Sequence, residues 1–561
     1  MKTNGSEALL LSLIREGVDT IFGYPGGAIM PVYDSLYKFK DELNHILVRH
    51  EQGGIHAAEG YSKVSGEVGV CLVTSGPGAT NLITGIADAM IDSVPLVCIT
   101  GQVYKELLGT NAFQEVDIIS VSKPITKWNY QVTSAEEIPQ IISKAFHIAK
   151  SGRPGPVLID ITKNAQFEEI DFYYKRYESV EKLKPKISVE DISKAAFLIN
   201  NAKKPLMLVG NGVVISGAED EVLELSEKGN IPVASTLLGL SSYPTKHRLY
   251  KGMLGMHGNY GPNVKTNECD VLIAVGMRFD DRVTSDLKTY AKQAKVIHIE
   301  IDDNEIGKNI KPHCVIHSDA KEALSKLIPY IENKDNFDWL NSFDEENLKE
   351  YEKVQKSEMY PTEGELKMAE IVNKLSELTN GDAVIVTDVG QHQMVTSRYY
   401  QFKEGNSRSN ITSGGLGTMG FSLPASIGAK LAKPNKVVIS VSGDGGFQMN
   451  IQELGTIMQE GIDVKILILN NGYLGMVRQW QEMFFDGRYS FTNMDNPDFT
   501  TIAKGYGIES KRISERSEVD EALYEFINSK GSYLLEVIVE KESNVFPMIP
   551  TGASVSEIRL V

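Results

Sequence analysis

An aspartate and an asparagine, each closing a short apolar run, carry the first chemistry legible in this chain. Val437-Val438-Ile439-Ser440-Val441 breaks into Ser442-Gly443-Asp444-Gly445-Gly446, and Val464-Lys465-Ile466-Leu467-Ile468-Leu469 ends in Asn470-Asn471-Gly472-Tyr473. Short runs of branched apolar residues read as strands buried on both faces, as in a parallel sheet. Met449, Leu454 and Ile457 mark a helical pattern between them. Asp444 and Asn471 lie 471 − 444 = 27 residues apart, about one strand-helix-strand unit. Ligands of open α/β sheets sit at the carboxyl ends of strands, so the two side chains are expected to face each other across a crevice. A carboxylate, an amide oxygen and a turn carbonyl (that of Tyr473) are hard ligands suited to Mg²⁺, with diphosphate oxygens and water completing the shell. Gly443, Gly445 and Gly446 let the main chain approach phosphates at a helix start with free N–H groups. Either turn alone is equally an ordinary strand end with a capping side chain.

A second acid belongs to the first part of the chain. Ile46-Leu47-Val48 delivers Arg49-His50-Glu51 to the start of a helix rich in small residues, among them Ala57, Ala58 and Gly60. A carboxyl buried at such a junction needs a partner or a task; a Glu favoured by the helix dipole is the plainer reading. His50 reads as structural or as a neighbour of the site.

The elements that must position these groups form an α/β pattern with three open, mainly parallel doubly wound sheets. Residues 1–165 hold the first, with a helix from Ser6 to Glu16, strands at 18–23, 46–48, 68–73 and 95–101, and the stretch 152–161 closing it with a strand. Glycine-bearing turns follow at Tyr24-Pro25-Gly26-Gly27 and Thr74-Ser75-Gly76-Pro77-Gly78-Ala79-Thr80-Asn81. The second of these mirrors the layout at Asp444 and suggests two distantly similar halves. Residues 190–332 hold the middle sheet, where Gly210-Asn211-Gly212 lacks the third glycine of a dinucleotide fingerprint, Ile215 standing in its place. Residues 365–561 hold the third. Between them, about 165–190 is a charged and aromatic linker, and Asn333 to Glu363, acidic and lysine-rich, reads as an exposed helix and linker.

Composition narrows the class. The 561 residues carry a net charge of −17, which argues against nucleic acid and anionic membranes as partners. Cys71, Cys98, Cys269 and Cys314 are scattered, without metal or disulfide spacing, as in a reducing compartment. No signal peptide or membrane-length apolar run is visible, so a cytoplasmic location is the default expectation.

Gly-Asp-Gly followed at this distance by Asn-Asn resembles the motif of thiamin-diphosphate enzymes. The continuation Gly475-Met476-Val477-Arg478-Gln479-Trp480-Gln481 is similar to the large catalytic subunit of acetohydroxyacid (acetolactate) synthases. So are Phe113-Gln114-Glu115, Met253-Leu254-Gly255-Met256-His257-Gly258, Gly276-Met277-Arg278-Phe279-Asp280-Asp281-Arg282 and the tail Asn544 to Pro550, so the resemblance runs nearly the whole chain in order. Gly472-Tyr473-Leu474 departs from the more usual polar residues after Asn-Asn.

The resemblance implies a pyrimidine-binding, a central FAD-binding and a diphosphate-binding domain, with thiamin diphosphate, Mg²⁺ and a structural, non-redox FAD. It implies decarboxylation of pyruvate and condensation of the two-carbon unit with pyruvate or 2-ketobutyrate, giving 2-acetolactate or 2-aceto-2-hydroxybutyrate. Glu51 would drive the aminopyrimidine to its imino tautomer. Tyr24, Pro25, Pro77 and Asn81 would lie against that ring. Val389, Gly390, Gln391, His392, Gly417, Gly445, Gly446 and Met476 would lie against the rest of the cofactor, with Met419 as the apolar wedge that bends it. Gly210, Gly212, Met256, His257, Gly276, Arg278 and Asp280 would meet the flavin. Arg282 would hold the carboxylate of the second keto acid, since a guanidinium fork matches a carboxylate; a salt bridge to Asp280 or Asp281 is the plainer fate. Gln114 and Lys163 would approach the substrate, and Trp480 would shape the acceptor pocket. A homodimer or homotetramer with sites at the dimer interface is implied, and a small regulatory subunit is a further expected partner. A flavin-free catabolic acetolactate synthase, a pyruvate oxidase, a simple keto-acid decarboxylase and a non-catalytic binding protein on the same scaffold remain open at this point.

Overall fold

The computed structural model describes residues 1–178 and 187–561; the segment 179–186 of the expected linker lies outside the described residues. Strand β1 (Lys2–Asn4) precedes a first sheet of β2 (Thr20–Gly23), β3 (Asn44–Leu47), β4 (Gly69–Val73), β5 (Leu96–Gln102), β6 (Trp128–Val132) and β7 (Pro156–Thr162). β8 (Glu169–Asp171) then pairs antiparallel with β1. The chain start, expected to run straight into a helix, is therefore a strand that ties the two ends of this unit together. The middle sheet holds β9 (Pro205–Val209), β10 (Val233–Ser235), β11 (Tyr250–Met253), β12 (Val271–Val275), β13 (Lys295–Glu300) and β14 (Cys314–His317). The third holds β15 (Val384–Thr387), β16 (Asn410–Thr412), β17 (Val438–Gly443), β18 (Lys465–Asn470), β19 (Glu509–Ile513) and β20 (Tyr533–Ile538). Every ladder within these three six-stranded sheets is parallel.

The strand orders say where ligands belong. The first sheet runs β3-β2-β4-β5-β7-β6 and the third β16-β15-β17-β18-β20-β19. Counted from its own first strand, each is second, first, third, fourth, sixth, fifth, so the suspected likeness of the two halves holds at the level of topology. The middle sheet runs β11-β10-β9-β12-β13-β14, the dinucleotide-binding order. Each sheet reverses direction beside its own first strand, which opens a crevice at the strand ends: between β2 and β4, between β9 and β12, and between β15 and β17.

The first and third units meet along the helices Glu51–Ser65 and Ser422–Ala432. A Cβ on Gly60 would lie 1.9 Å from the Ala425 carbonyl oxygen, and one on Gly428 would lie 1.8 Å from that of Ala57. The two backbones touch, so Gly60→Ala is expected to destabilise the chain by about 3 kcal/mol through overpacking, read as a lower midpoint in chemical denaturation. A buried polar group fastens the same joint. Lys63 pairs with Asp92 at 2.8 Å and donates to Thr412, while Asp92 accepts N–H groups from Gly414 and Gly415. His56, Glu59 and Asp88 sit beside them with metal-like spacing. Burial pushes the Asp88 carboxyl up to about 7 and Glu59 well above its usual range, and it pushes His56 down to about 4. With Lys63 as countercharge, this group is a joint between two units.

Two expectations are corrected. The helical pattern after Asp444 is broken at Asn450, between Asp444–Met449 and Leu454–Glu460, because the Asn450 amide turns aside to donate to Gly420; Met449 is exposed. The helix Phe337–Glu350, expected to be exposed, buries Trp339 and Phe343 against the middle sheet together with Ile549, Val555 and Ile558 of the tail, and Leu340 in a second core of that sheet. Its polar composition hid a single apolar stripe. All four cysteines are buried. Among the described residues no helix is long and apolar enough to cross a membrane.

Candidate active site

A cavity of about 750 Å³ runs from the carboxyl ends of the third sheet to those of the middle sheet. β17 and β18 are neighbours in register, Gly443 opposite Leu469, so the residues that follow them emerge side by side. Asp444, Asn471 and Tyr473 all line the cavity. Burial raises the Asp444 carboxyl above its usual range, while the Asn496 side chain and the backbone N–H groups of Gly445 and Asn471 oppose that rise. Asn496 donates to Asp444 Oδ2 at 2.7 Å. Asn471 Oδ1 accepts the Tyr473 N–H at 3.2 Å. A buried carboxylate beside an amide oxygen, with a turn carbonyl nearby, is a donor set that fits Mg²⁺.

Val389, Gly390, Gln391 and His392 line the same cavity from the turn after β15, and Gly417 and Met419 from the loop after β16. His392 is buried, its Nε2 has no partner, and burial drives its pKa down to about 4. A neutral imidazole with an unpartnered nitrogen, on a residue that lines the cavity, fits a phosphate oxygen or its proton. The glycines also have a reason within the protein itself. A Cβ on Gly443 would meet His392 Nδ1 at 2.8 Å, one on Gly445 would meet Leu474 at 2.8 Å, and one on Gly446 would meet Asp388 Oδ1 at 2.4 Å. They make room for protein groups that surround the crevice. Met476 and Trp480 reach the cavity from the helix Gly475–Phe484, and Trp480 packs against Phe484.

From the middle sheet, Gly212, Met256, His257, Gly276, Arg278, Asp280 and Arg282 line the cavity, and Gly210 does not. Gly210 packs behind the wall, where a Cβ would meet Met277 at 2.4 Å. Gly212 and Gly276 lie back to back, a Cβ on either falling 2.6 Å from the other's Cα. This contact closes the floor of the β9/β12 crevice. His257 Nδ1 is buried without a partner. A buried, unpartnered polar atom on a residue that lines the cavity, at a dinucleotide-type switch point, fits FAD. Asp280 caps the helix Asp281–Thr284 through the N–H groups of Arg282 and Val283 and lies 3.7 Å from Arg278. Arg282 is 62% exposed and stands 3.6 Å from Asp281, itself 82% exposed. Such a pair is weak, so the guanidinium at the cavity wall is available to a carboxylate ligand.

The remaining candidates form a separate shelf on the first sheet, none of them lining the cavity. Glu51 opens the helix Glu51–Ser65, is half-buried rather than buried, and accepts from Asn81 Nδ2 at 2.9 Å. His50 is structural: its ring caps that helix by accepting the Gln52 N–H at 3.1 Å. Pro77 is exposed at the start of the short helix after β4. Gly76 packs on Gln114, whose backbone is held at φ 61°. Tyr24 and Pro25 are exposed at the end of β2, and Lys163, at the end of β7, lies over the Tyr104 ring at 5.8 Å. The shelf thus faces outward, with Phe113 at its edge 88% exposed.

Several residues around the site carry no sequence signal. Asn496 follows a loop of no recognisable pattern, yet it bridges Asp444 and Asn470. Glu453 is buried and accepts the N–H groups of Arg49 and His50, locking the turn that presents Glu51. An acid eight to ten residues after the Gly-Asp-Gly turn was the one available hint.

Comparison with known proteins agrees with this geometry. Residues 3–121 match the N-terminal TPP binding domain of thiamine pyrophosphate enzymes, residues 192–327 the central domain and residues 388–537 the C-terminal TPP binding domain. The chain is 46% identical to a probable acetolactate synthase large subunit of Methanocaldococcus jannaschii, over 99% of this chain and 95% of that one. It is 45% identical to the acetolactate synthase large subunit of Lactococcus lactis, over 99% and 96% of the two chains. It is also 45% identical to the acetolactate synthase isozyme 2 large subunit of Escherichia coli, over 99% of each. With thiamine pyrophosphate domains in order along its length and such identity end to end, the chain belongs to the acetolactate synthase large-subunit family of thiamine pyrophosphate enzymes.

Proposed function

We propose that these residues carry out the acetolactate synthase reaction of branched-chain amino-acid biosynthesis. Pyruvate is decarboxylated, and its two-carbon remainder is joined to pyruvate or 2-ketobutyrate, giving 2-acetolactate or 2-aceto-2-hydroxybutyrate. The observation that carries this reading is that Asp444, Asn471 and His392, whose buried Nε2 has no partner, line one cavity. Thiamin diphosphate supplies the electron sink for decarboxylation and for the new carbon–carbon bond.

The chain's own groups do the rest. Asp444, Asn471 and the Tyr473 carbonyl would hold Mg²⁺, with Val389, Gly390, Gln391 and His392 beside the diphosphate. Glu51, held by the 2.9 Å bond from Asn81, would be the acid–base group for the aminopyrimidine. Tyr24, Pro25 and Pro77 would lie against that ring, and Met419, which lines the cavity, would be the apolar wedge that bends the cofactor. Arg282 binds the carboxylate of the acceptor. Met256 and Trp480 wall the acceptor pocket, and Gln114 and Lys163 guard the entrance. Gly212, Gly276, His257, Arg278 and Asp280 would hold FAD as a structural group.

Glu51 stands off the cavity that Asp444 lines, so each site needs the first unit of a second copy. The exposed Phe113 on the shelf and Phe491, 99% exposed after the helix that bears Trp480, suit such a homodimer. A small regulatory chain is a further partner, supported by the large-subunit names of the relatives.

Incubation of purified protein with pyruvate, with and without added FAD, tests the reading. Acetolactate is expected, while acetyl phosphate or acetaldehyde as the main product overturns it; absence of flavin absorption removes the FAD assignment. Trp480→Leu is expected to erode the preference for 2-ketobutyrate over pyruvate by about 1–3 kcal/mol, the worth of one methylene in a pocket. An unchanged product ratio in a mixed-substrate competition would count against this wall.

A further inference from the structure

We infer that Gln479 is a positioning residue for the metal ligand Asn471, one of the backbone-anchored contacts, with the Ser543 carbonyl and the Tyr473 N–H, that hold the oxygen end of the Asn471 amide toward the metal. The inference rests on the Mg²⁺ reading above. It starts from the main chain of Val545, whose N–H can only donate and whose C=O can only accept. The Val545 N–H donates to Gln479 Oε1 at 2.9 Å, and Gln479 Nε2 donates to the Val545 carbonyl at 3.2 Å. The polarity of Gln479 is thereby fixed by backbone. Gln479 Oε1 also accepts from Gln391 Nε2 at 3.0 Å, and the same Nε2 donates to the Ser543 carbonyl at 2.9 Å. Gln391 must therefore turn its oxygen toward Asn471, which answers with its Nδ2 at 3.2 Å. Asn471 Oδ1 is left on the opposite side, beside the Tyr473 N–H.

All three amides are buried, Gln479 completely, so the anchoring end of the relay is closed to water. The space is reserved for them: a Cβ on Gly475 would fall 2.2 Å from Gln391 Oε1 and 2.7 Å from Asn471 Nδ2. An amide that can flip offers a metal its NH₂ half of the time, whereas a relay anchored in backbone offers only oxygen. Neighbours of metal ligands contribute to affinity in this way, commonly tenfold or more.

Isothermal titration of Mg²⁺ into the full chain at fixed, saturating thiamin diphosphate tests the relay. Gln479→Met removes both hydrogen-bonding ends at similar volume and is expected to weaken Mg²⁺ about tenfold. Gln479→Glu keeps the acceptor that Gln391 needs and is expected to stay within about threefold of wild type, since the relay survives; it also serves if the Met variant fails to fold. The deciding comparison is made in the Asn471→Asp background. A carboxylate has two equivalent oxygens and needs no orientation, so Gln479→Met is expected to cause no loss there. Equal losses in both backgrounds, or equal losses from Met and Glu, overturn the inference. If Asn471→Leu leaves Mg²⁺ affinity unchanged, the metal reading itself falls, and the relay with it.

Discussion

Glu51→Gln is expected to leave thiamin diphosphate bound while turnover falls by about two to four orders of magnitude, the usual worth of a positioned general acid–base group. The substitution is nearly isosteric. It keeps an oxygen to accept the 2.9 Å bond from Asn81, and it keeps the start of the helix Glu51–Ser65 in place. What it removes is the exchangeable proton. Glu453 holds the preceding turn through the Arg49 and His50 N–H groups, so the backbone at 51 is expected not to move. Cofactor binding by calorimetry and acetolactate formation at saturating pyruvate separate the two effects. Wild-type rates would remove Glu51 from the mechanism, and loss of cofactor binding with turnover would make it a structural contact instead.

Asp444→Asn is expected to act with opposite signs on the empty and the loaded protein. Without a cation, a buried carboxylate is an unfavourable group, and burial holds the Asp444 pKa above its usual value. A carboxyl whose folded pKa is raised lowers stability at every pH above its unfolded pKa, so at neutral pH the amide is expected to stabilise the apo-protein. With Mg²⁺ and thiamin diphosphate the balance reverses, because a charged ligand is lost. A hundredfold weaker Mg²⁺ affinity, about 3 kcal/mol, is the expected scale, and the stabilisation by ligand should shrink accordingly. Thermal melts with and without Mg²⁺ and thiamin diphosphate check both arms. A variant that gains as much from the cofactors as wild type does would exclude Asp444 as a metal ligand.

How far these residues were legible depends on how local their geometry is. Asp444 and Asn471 belong to one strand-helix-strand unit, and the length of that unit puts both at adjacent strand ends. The spacing is then sufficient. Glu51 was legible as a strand-end acid, but its half-burial and its place on an outward shelf were not, because they depend on how its helix packs against Asn81 and Glu453, which lie far from it in sequence. Gly443, Gly445 and Gly446 were legible as a close approach, yet the groups they admit, His392, Leu474 and Asp388, come from other parts of the third unit. The helix Phe337–Glu350 misled through composition: a few large apolar residues on one side decide its burial, while the charged majority faces water.

From the chain alone followed what short range imposes. The parallel strands, the turns that end them and the residue types suited to a metal-held diphosphate all depend on patterns a few residues to one unit long. The tertiary structure decided the rest: the shared topology of the outer sheets, the single cavity spanning the middle and third sheets, the separation of Glu51 from Asp444, and the amide relay that runs from Val545 to Asn471. These are contacts between segments far apart in sequence. A hydrogen-bond polarity or a closed cavity wall exists only once such segments meet, and no local pattern encodes the meeting.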